Sequence, residues 1–508
     1  MPSPIVIPEV VKLRAIAFGV SASVVILAVY GFLGGNTLLL MMLAVAPLVV
    51  LAVNRINWAF IFMIAAFHSW IYVPGFPGEL SMFYIVAGAL TPILLLKRAI
   101  EPISYPSSSV MRSLIIGYLL VTLITMSVRG FGIRFFGSSL WGGKHYVHLC
   151  VVCALYIVAD SVLLKPKEWR LTVILFFAAV LFPVIAEQVY VRTSGMELLY
   201  HFIRPAATSA SSALTAYESG SGILRFSVSK LISYLFILSL ALFPFRGRYR
   251  FLIGFFLSIA VIFSGLSGHR STSLYLVLVI PTFILFRLRR KSFPLISMYI
   301  VALVCGVLLL SLLGTMLPLS FQRAVSWVPF ADISFEAREA AAVTTRWRIN
   351  LWSMLLPYLK EYWLLGRGFA FDPSELSFLD FFHSSEYSLR VTTRAYHNGP
   401  LSMFIDLGIF GLLFGAGFMV YGCILHIRRL RDLWPDLRLA RLHIAILASV
   451  CVDVFRFFVV YGHASDSMIA LMIQFVILNG LYCTNRALQA GEPAMLEASP
   501  SDSDPGEE

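Results

Sequence analysis

Long apolar runs recur along this chain from one end to the other, and no other feature limits its fold so strongly. Each holds about 16 to 22 residues, enough for a helix to cross a hydrocarbon layer about 30 Å thick. In lipid every backbone N–H and C=O must be satisfied within its own segment, so runs of this length read as helices. About 14 spans follow, at 15–33, 37–53, 57–73, 80–96, 111–128, 146–164, 171–191, 230–245, 251–267, 271–287, 294–314, 399–424, 442–461 and 467–483. The fold class this implies is all-α, a polytopic membrane protein. With 59% of its 508 residues hydrophobic and only 13% charged, the chain has no stretch that reads as a soluble domain.

Orientation follows from Lys and Arg in the short connections. Lys12/Arg14, Arg55, Lys97/Arg98, Lys165/Lys167/Arg170, Arg246/Arg248/Arg250, Arg287/Arg289/Arg290/Lys291 and Arg428/Arg429/Arg431 all fall on one side. That side is expected to be the cytoplasm, and an even number of spans places both termini there. Lys12 and Arg14 ahead of an apolar run suggest a secretory signal, but no small-x-small cleavage site follows, so the run reads as an uncleaved helix. The net charge of +12 is largely this topological signal rather than a nucleic-acid footprint. Cys150 and Cys153 form a C-x-x-C inside an apolar helix with no second Cys/His pair nearby, which is the spacing of a helix more than of a metal or redox site. From Ala490 onward the chain is acidic and Ser/Pro-rich, a composition expected to be disordered.

Three connections on the other face are long: 129–145, which is Gly-rich and basic, 192–229, which is Ser/Ala-rich, and 315–398, about 84 residues. A structureless loop of that last length is improbable and usually functional. Within it Trp347, Leu351, Trp352, Leu355, Leu356 and Leu359 recur at helical spacing, which predicts an amphipathic helix on the bundle or at the lipid interface, ended by Gly366 and Gly368. Thus the chain divides into N-terminal helices (1–250), a region with the large loop (251–424), C-terminal helices (425–489) and a tail (490–508).

The outer face is also unexpectedly rich in arginine, against the positive-inside tendency: Arg129, Arg134, Arg192, Arg204, Arg225, Arg270, Arg323, Arg338, Arg346, Arg348, Arg367, Arg390 and Arg394. Guanidinium forks bind phosphate oxygens in pairs, so the set suits an anionic lipid-linked substrate; pairing with nearby carboxylates or lipid headgroups is the other use. Arg270 stands at a short turn close to membrane depth, where an ionisable residue is a functional candidate or snorkels to the interface. Arg348 and Trp352 share one face of the predicted helix, whereas Arg346 points away unless the helix starts after it. His397, with Asn398, stands where the loop re-enters the membrane. Its imidazole suits proton removal from a hydroxyl near neutral pH, or a structural role. Asp453 and Arg456, three residues apart in a late helix, read as an intramembrane ion pair or a proton path. No Gly-rich phosphate loop, H-E-x-x-H, outer D-x-D or G-x-S-x-G is present, so arginine rather than a metal is the expected counter-charge.

Arg348-x-x-x-Trp352, Gly366-Arg367-Gly368, His397-Asn398 and Asp406-x-Gly408-x-x-Gly411, in this order, resemble the O-antigen ligase and polymerase superfamily of bacterial inner-membrane glycosyltransferases. The Ser267–Arg270 turn is similar to that family's Ser-rich, Arg-containing turn, and the match runs from about Phe251 to Val420. The resemblance implies a GT-C-like membrane fold and metal-independent transfer of a glycan, without a cofactor. The donor would be an undecaprenyl-diphosphate glycan, and the acceptor a hydroxyl on a glycan, lipid or protein. Arg270 and Arg348 would hold the diphosphate, with Arg225 and Arg394 as further cations. His397 would activate or position the acceptor, supported by Trp352 and Asn398. Two departures bear on the subfamily: Asp406 stands where the family usually has Glu, and the spans outnumber those usual in its ligases. A multi-pass transporter or flippase of lipid-linked glycans is the rival from another class. It would line a central cavity with its cations, whereas here only Arg456 lies clearly within a span.

Overall fold

The computed structural model describes residues 55–72, 81–100, 108–133, 138–192, 203, 228–244, 247–288, 293–372, 394, 396–433 and 438–490. The expected spans 15–33 and 37–53 and the acidic tail lie outside the described residues. Among the described residues β-pairing is confined to isolated bridges, Trp141 with Phe371 being the one that matters below. The described residues are all-α, and among them nine helical segments are long and apolar enough to cross a membrane, with three shorter apolar helices besides.

In chain order the helices are α1 (Ile56–Ala66), α2 (Met82–Ile100), α3 (Ser109–Arg129), α4 (Lys144–Val158), α5 (Pro166–Ala178), α6 (Leu181–Arg192), α7 (Val228–Leu242), α8 (Tyr249–Leu266), α9 (Arg270–Leu288), α10 (Phe293–Leu313), α11 (Leu319–Ala324), α12 (Phe335–Leu355), α13 (Tyr358–Glu361), α14 (Gly399–Arg429), α15 (Arg438–Val459) and α16 (Ala464–Gln489). The expected spans inside the described residues fall on these helices, but those at 57–73, 146–164 and 230–245 fall on the three shorter apolar ones and that at 171–191 is divided between α5 and α6. The span expected at 57–73 is shorter: α1 ends at Ala66, where the Ser69 hydroxyl donates to the Ala66 carbonyl at 2.8 Å in place of a continuing helix. The span expected at 171–191 starts earlier, at Pro166. Proline suits a first helical position, and the Glu168 carboxylate accepts from the Lys165 N–H at 2.8 Å.

Helices α14, α15 and α16 form the middle of the bundle, packed on α3, α4, α7 and α9. Burial separates inside from outside: 78% of the apolar window of α16 is buried, against 0% for the span built on α10. Small residues allow the inner helices to approach. Gly480 lies against the Trp169 ring, and Gly422 against Phe475, where a Cβ would collide. Polar side chains tie the same helices, as Trp169 Nε1 donates to Thr484 Oγ1 at 2.9 Å and Asn479 Nδ2 to the Tyr156 hydroxyl at 3.1 Å. Cys153 of the C-x-x-C packs its sulfur 3.9 Å from that of Met472 in this core. Asp453 and Arg456 form their ion pair at 3.1 Å, with the guanidinium over the Tyr275 ring.

The predicted amphipathic helix is α12, which ends at Leu355 rather than at Gly366 and Gly368, since Pro357 has no N–H to continue the ladder; Leu359 falls in α13. Ser334 caps α12, its hydroxyl accepting from the Ala337 N–H at 3.3 Å. Ala337, Ala341, Leu351 and Leu355 form its buried stripe. Leu351 and Leu355 pack with Tyr396 and Ile405, so α12 lies across the start of α14. The loop 315–398 is therefore largely built structure where it is described.

Candidate functional site

Helix α14 is interrupted near its start. Gly408 takes φ 70° and ψ −169°, which breaks the helical ladder and frees backbone groups on either side. Such groups are tolerated at membrane depth only when other protein satisfies them. The Gly-Arg-Gly turn does so: Ile409 N–H donates to the Trp363 carbonyl (2.8 Å), Arg367 N–H to Ile405 (2.6 Å) and Gly368 N–H to Asp406 (2.9 Å). Gly366, also at φ 70°, meets the Asp406–Leu407 backbone where a Cβ would collide. The sequence motifs Gly366–Gly368 and Asp406–Gly411 are thus two halves of one joint.

Further elements lock that joint. Arg129 at the end of α3 donates from Nε to the Gly366 carbonyl at 3.0 Å, and Thr125 Oγ1 donates to Leu365 at 2.9 Å. The Tyr146 hydroxyl of α4 accepts from the Phe369 N–H at 2.8 Å. Arg394 crosses the joint with Nη1 3.0 Å from Asp406 Oδ1. It also donates to the carbonyls of Gly368 and Ala370 and lies over the Phe369 ring. The expected diphosphate role of Arg394 does not fit this placement. The residue is 6% exposed, and its guanidinium is spent on Asp406 and two carbonyls, so it pins the turn from inside.

His397 follows immediately. Its backbone, like that of Arg394, is left-handed (φ 57° and 59°), a conformation that L-residues hold only where the surroundings impose it. Trp352 Nε1 donates to the Tyr396 carbonyl at 2.7 Å on one side. On the other, the Asn398 side chain caps α14, accepting from the Leu401 N–H at 3.0 Å. Trp352 and Asn398 therefore stand directly before and after the histidine and fix its backbone. The His397 ring is set among Trp347 (centroids 5.4 Å apart), Tyr461 (5.0 Å) and His463 (5.8 Å).

Tyr461 and His463 were not among the residues singled out from the sequence. They occupy the short turn between α15 and α16, with the Tyr461 hydroxyl 2.7 Å from His463 Nε2 and His463 Nδ1 3.3 Å from the Arg394 carbonyl. The signal for them was a Tyr-Gly-His-Ala-Ser-Asp string between two apolar runs on the same face as His397.

Two arginines lie along the same helix. Arg270 opens α9, and its Nη2 donates to Thr344 Oγ1 (3.1 Å) and Thr345 Oγ1 (3.2 Å) of α12. Arg348 lies one turn beyond Thr344 and one turn before Trp352, on the same face. It is half-buried; burial pulls its guanidinium below the ordinary arginine range, and the nearby Tyr461 acts the other way. Arg346 is directed elsewhere, because α12 starts well before it, and it pairs with Glu339 at the surface. Arg225 lies outside the described residues. The nine residues from Thr344 to Trp352 hold Arg270, supply Arg348 and form two walls of the His397 environment. Guanidinium groups suit an anion and an imidazole suits a proton, and this stretch of α12 touches or carries both kinds of group.

Residues 253–416 match the family model described as O-antigen ligase. The match includes Arg270, Arg348, Trp352, the Gly366–Gly368 turn, His397 and the Gly408 break, and it stops short of Tyr461 and His463. No curated protein matches the chain.

Proposed function

We propose that this chain, by residues 253–416 a member of the O-antigen ligase-like superfamily, transfers a glycan from a lipid diphosphate to an acceptor hydroxyl. The family implies ligase- or polymerase-type activity in surface polysaccharide biosynthesis; undecaprenyl diphosphate as donor is the finer step proposed here. The observation that carries it is that one stretch of α12 holds Arg270 through Thr344 and Thr345, carries Arg348, and lays Trp347 against the His397 ring. Arg270 and Arg348 hold the diphosphate, and His397 takes the proton of the acceptor hydroxyl as its oxygen bonds to the anomeric carbon. The bond from that carbon to the diphosphate oxygen breaks in the same step, and the departing charge stays with the arginines. A diphosphate leaves well without protonation, so one base serves and no metal is called for. Trp352 and Asn398 hold the base in place.

The same reading makes the chain a multi-pass bacterial inner-membrane protein, of about 14 spans by its apolar runs and GT-C-like by its resemblance, with α12 and His397 on the periplasmic face and both ends of the chain in the cytoplasm by its Lys and Arg placement. The partners are a lipid-linked glycan and a glycan, lipid or protein acceptor. The test is transfer in proteoliposomes from an undecaprenyl-diphosphate glycan, with EDTA present. His397→Ala loses about 10²–10⁴ in rate while donor binding persists. Wild-type turnover by His397→Ala removes the base from this site, and a strict divalent-metal requirement overturns the reaction as written.

A further inference from the structure

A catalytic base works best when a third group orients it, as in nucleophile–base–orienter arrangements on many folds. The turn between α15 and α16 supplies such a group. A backbone carbonyl can only accept, so the contact from His463 Nδ1 to the Arg394 carbonyl places the ring proton of His463 on Nδ1. Nε2 of the neutral ring is then an acceptor, and the Tyr461 hydroxyl at 2.7 Å donates to it. With its proton committed to His463, the Tyr461 oxygen offers only lone pairs to its other neighbours. The Tyr461 ring stands against the His397 ring, 5.0 Å away between centroids, and Tyr461 acts electrostatically on the Arg348 guanidinium.

We propose that Tyr461 and His463 are positioning residues of the transfer reaction: His463 fixes the direction of the Tyr461 hydroxyl, and the Tyr461 oxygen orients His397 and favours its protonated form. Nothing in the matched family segment covers this pair, since it ends before residue 461. The inference rests on His397 acting as the base. It also gives Arg394 a second task, because the residue that pins the Gly-Arg-Gly turn through its side chain sets the His463 tautomer through its carbonyl.

The pH dependence carries a definite sign. An acceptor oxygen beside His397 stabilises the imidazolium and raises the pH at which the base is lost to protonation. Removing that oxygen therefore moves the acid limb of the kcat profile to lower pH. The charged and titratable groups around His397 are Tyr461, His463, Arg348 and Arg394. His145, with Ser465 and Asp466, adjoins His463.

The experiment compares pH–rate profiles of full-length protein in proteoliposomes for Tyr461→Phe, His463→Ala, His463→Gln and the Tyr461→Phe/His463→Ala pair. Tyr461→Phe keeps the ring against His397 and is expected to lower kcat about 10- to 100-fold, with KM for the donor little changed. Its acid limb moves to lower pH. His463→Ala reproduces that shift, the double variant goes no further than the worse single one, and His463→Gln, whose carbonyl can accept from Tyr461, retains more activity than His463→Ala. A Tyr461→Phe protein with wild-type kcat and an unmoved acid limb overturns the proposal. His397→Ala, run beside it, separates the two failures. If it is inactive while Tyr461→Phe is wild type, only the positioning role falls; if it is active, the reaction assigned to His397 falls as well.

Discussion

Arginines of one outer loop system can look alike in sequence and do different work, because what each guanidinium touches decides it. Arg346 shares an exposed pair with Glu339, Arg394 is enclosed with Asp406, and Arg270 reaches hydroxyls on a neighbouring helix. The three should respond differently to alanine. Arg346→Ala costs about 0.2–1 kcal/mol at most and leaves turnover unchanged. Arg394→Ala strands a buried Asp406 carboxylate and costs about 3–5 kcal/mol of stability, read as a lower Tm and less protein in the membrane. Arg270→Ala keeps its Tm and loses roughly 10- to 150-fold in transfer, with Arg270→Lys recovering part. Wild-type transfer by Arg270→Ala would dismiss it from the diphosphate site. The sequence shows that His397 and these cations share a face, since topology alone sets that. It does not show that Arg394 is consumed, because its partners Gly368 and Ala370 are distant in sequence and only folding brings them together. Tyr461 and His463 stayed hidden for the same reason: their polar turn is visible between two apolar runs, but only folding brings it to His397 and Arg394.

Among the elements, α14 departs furthest from what its sequence suggests. Residues 399–424 are apolar apart from Ser402, Asp406 and Tyr421, so periodicity reads one uninterrupted helix, and the break at Gly408 leaves no mark in hydropathy. Its cause lies in the turn 363–368, which supplies the displaced hydrogen bonds. Gly408→Ala puts a Cβ against the Leu364 carbonyl and an L-residue at φ 70°, for which the backbone term alone is about 1–2 kcal/mol. Activity and thermal stability in nanodiscs should fall together. Gly254, helical in α8 with no atom near its Cβ position, should accept alanine with a gain of up to about 1 kcal/mol. Equal behaviour of the two variants would show that the break is not required. By contrast α12 was legible in part: the helical spacing marks Leu351, Leu355 and the Arg348–Trp352 face, but not the start at Phe335, the buried Ala337 and Ala341 or the end at Leu355, and Leu356 is exposed.

For the whole molecule, the order of helices could be read from the sequence, but not which of them are central. A run of apolar residues satisfies lipid and protein interior equally: α10 is the more apolar span, at mean hydropathy 2.6 against 1.7 for α16, yet α16 is the central one. Orientation is the property that can be tested directly. With native cysteines replaced by serine, single cysteines at Glu336 and Trp363 should react with an impermeant maleimide from the periplasmic side, and those at Arg248 and Arg431 should not. Reaction at Arg248 from outside would invert the assignment. The contrast between α10, with no residue buried, and α16 has a further meaning for how the chain can change over time. Side chains of α16 are chosen by shape, since Gly480 must clear Trp169 and Thr484 must meet its indole. Those of α10 are chosen only by solubility in oil. One helix is written in an alphabet of particular letters, the other in an alphabet of one class, so two spans of the same chain should record ancestry at very different rates.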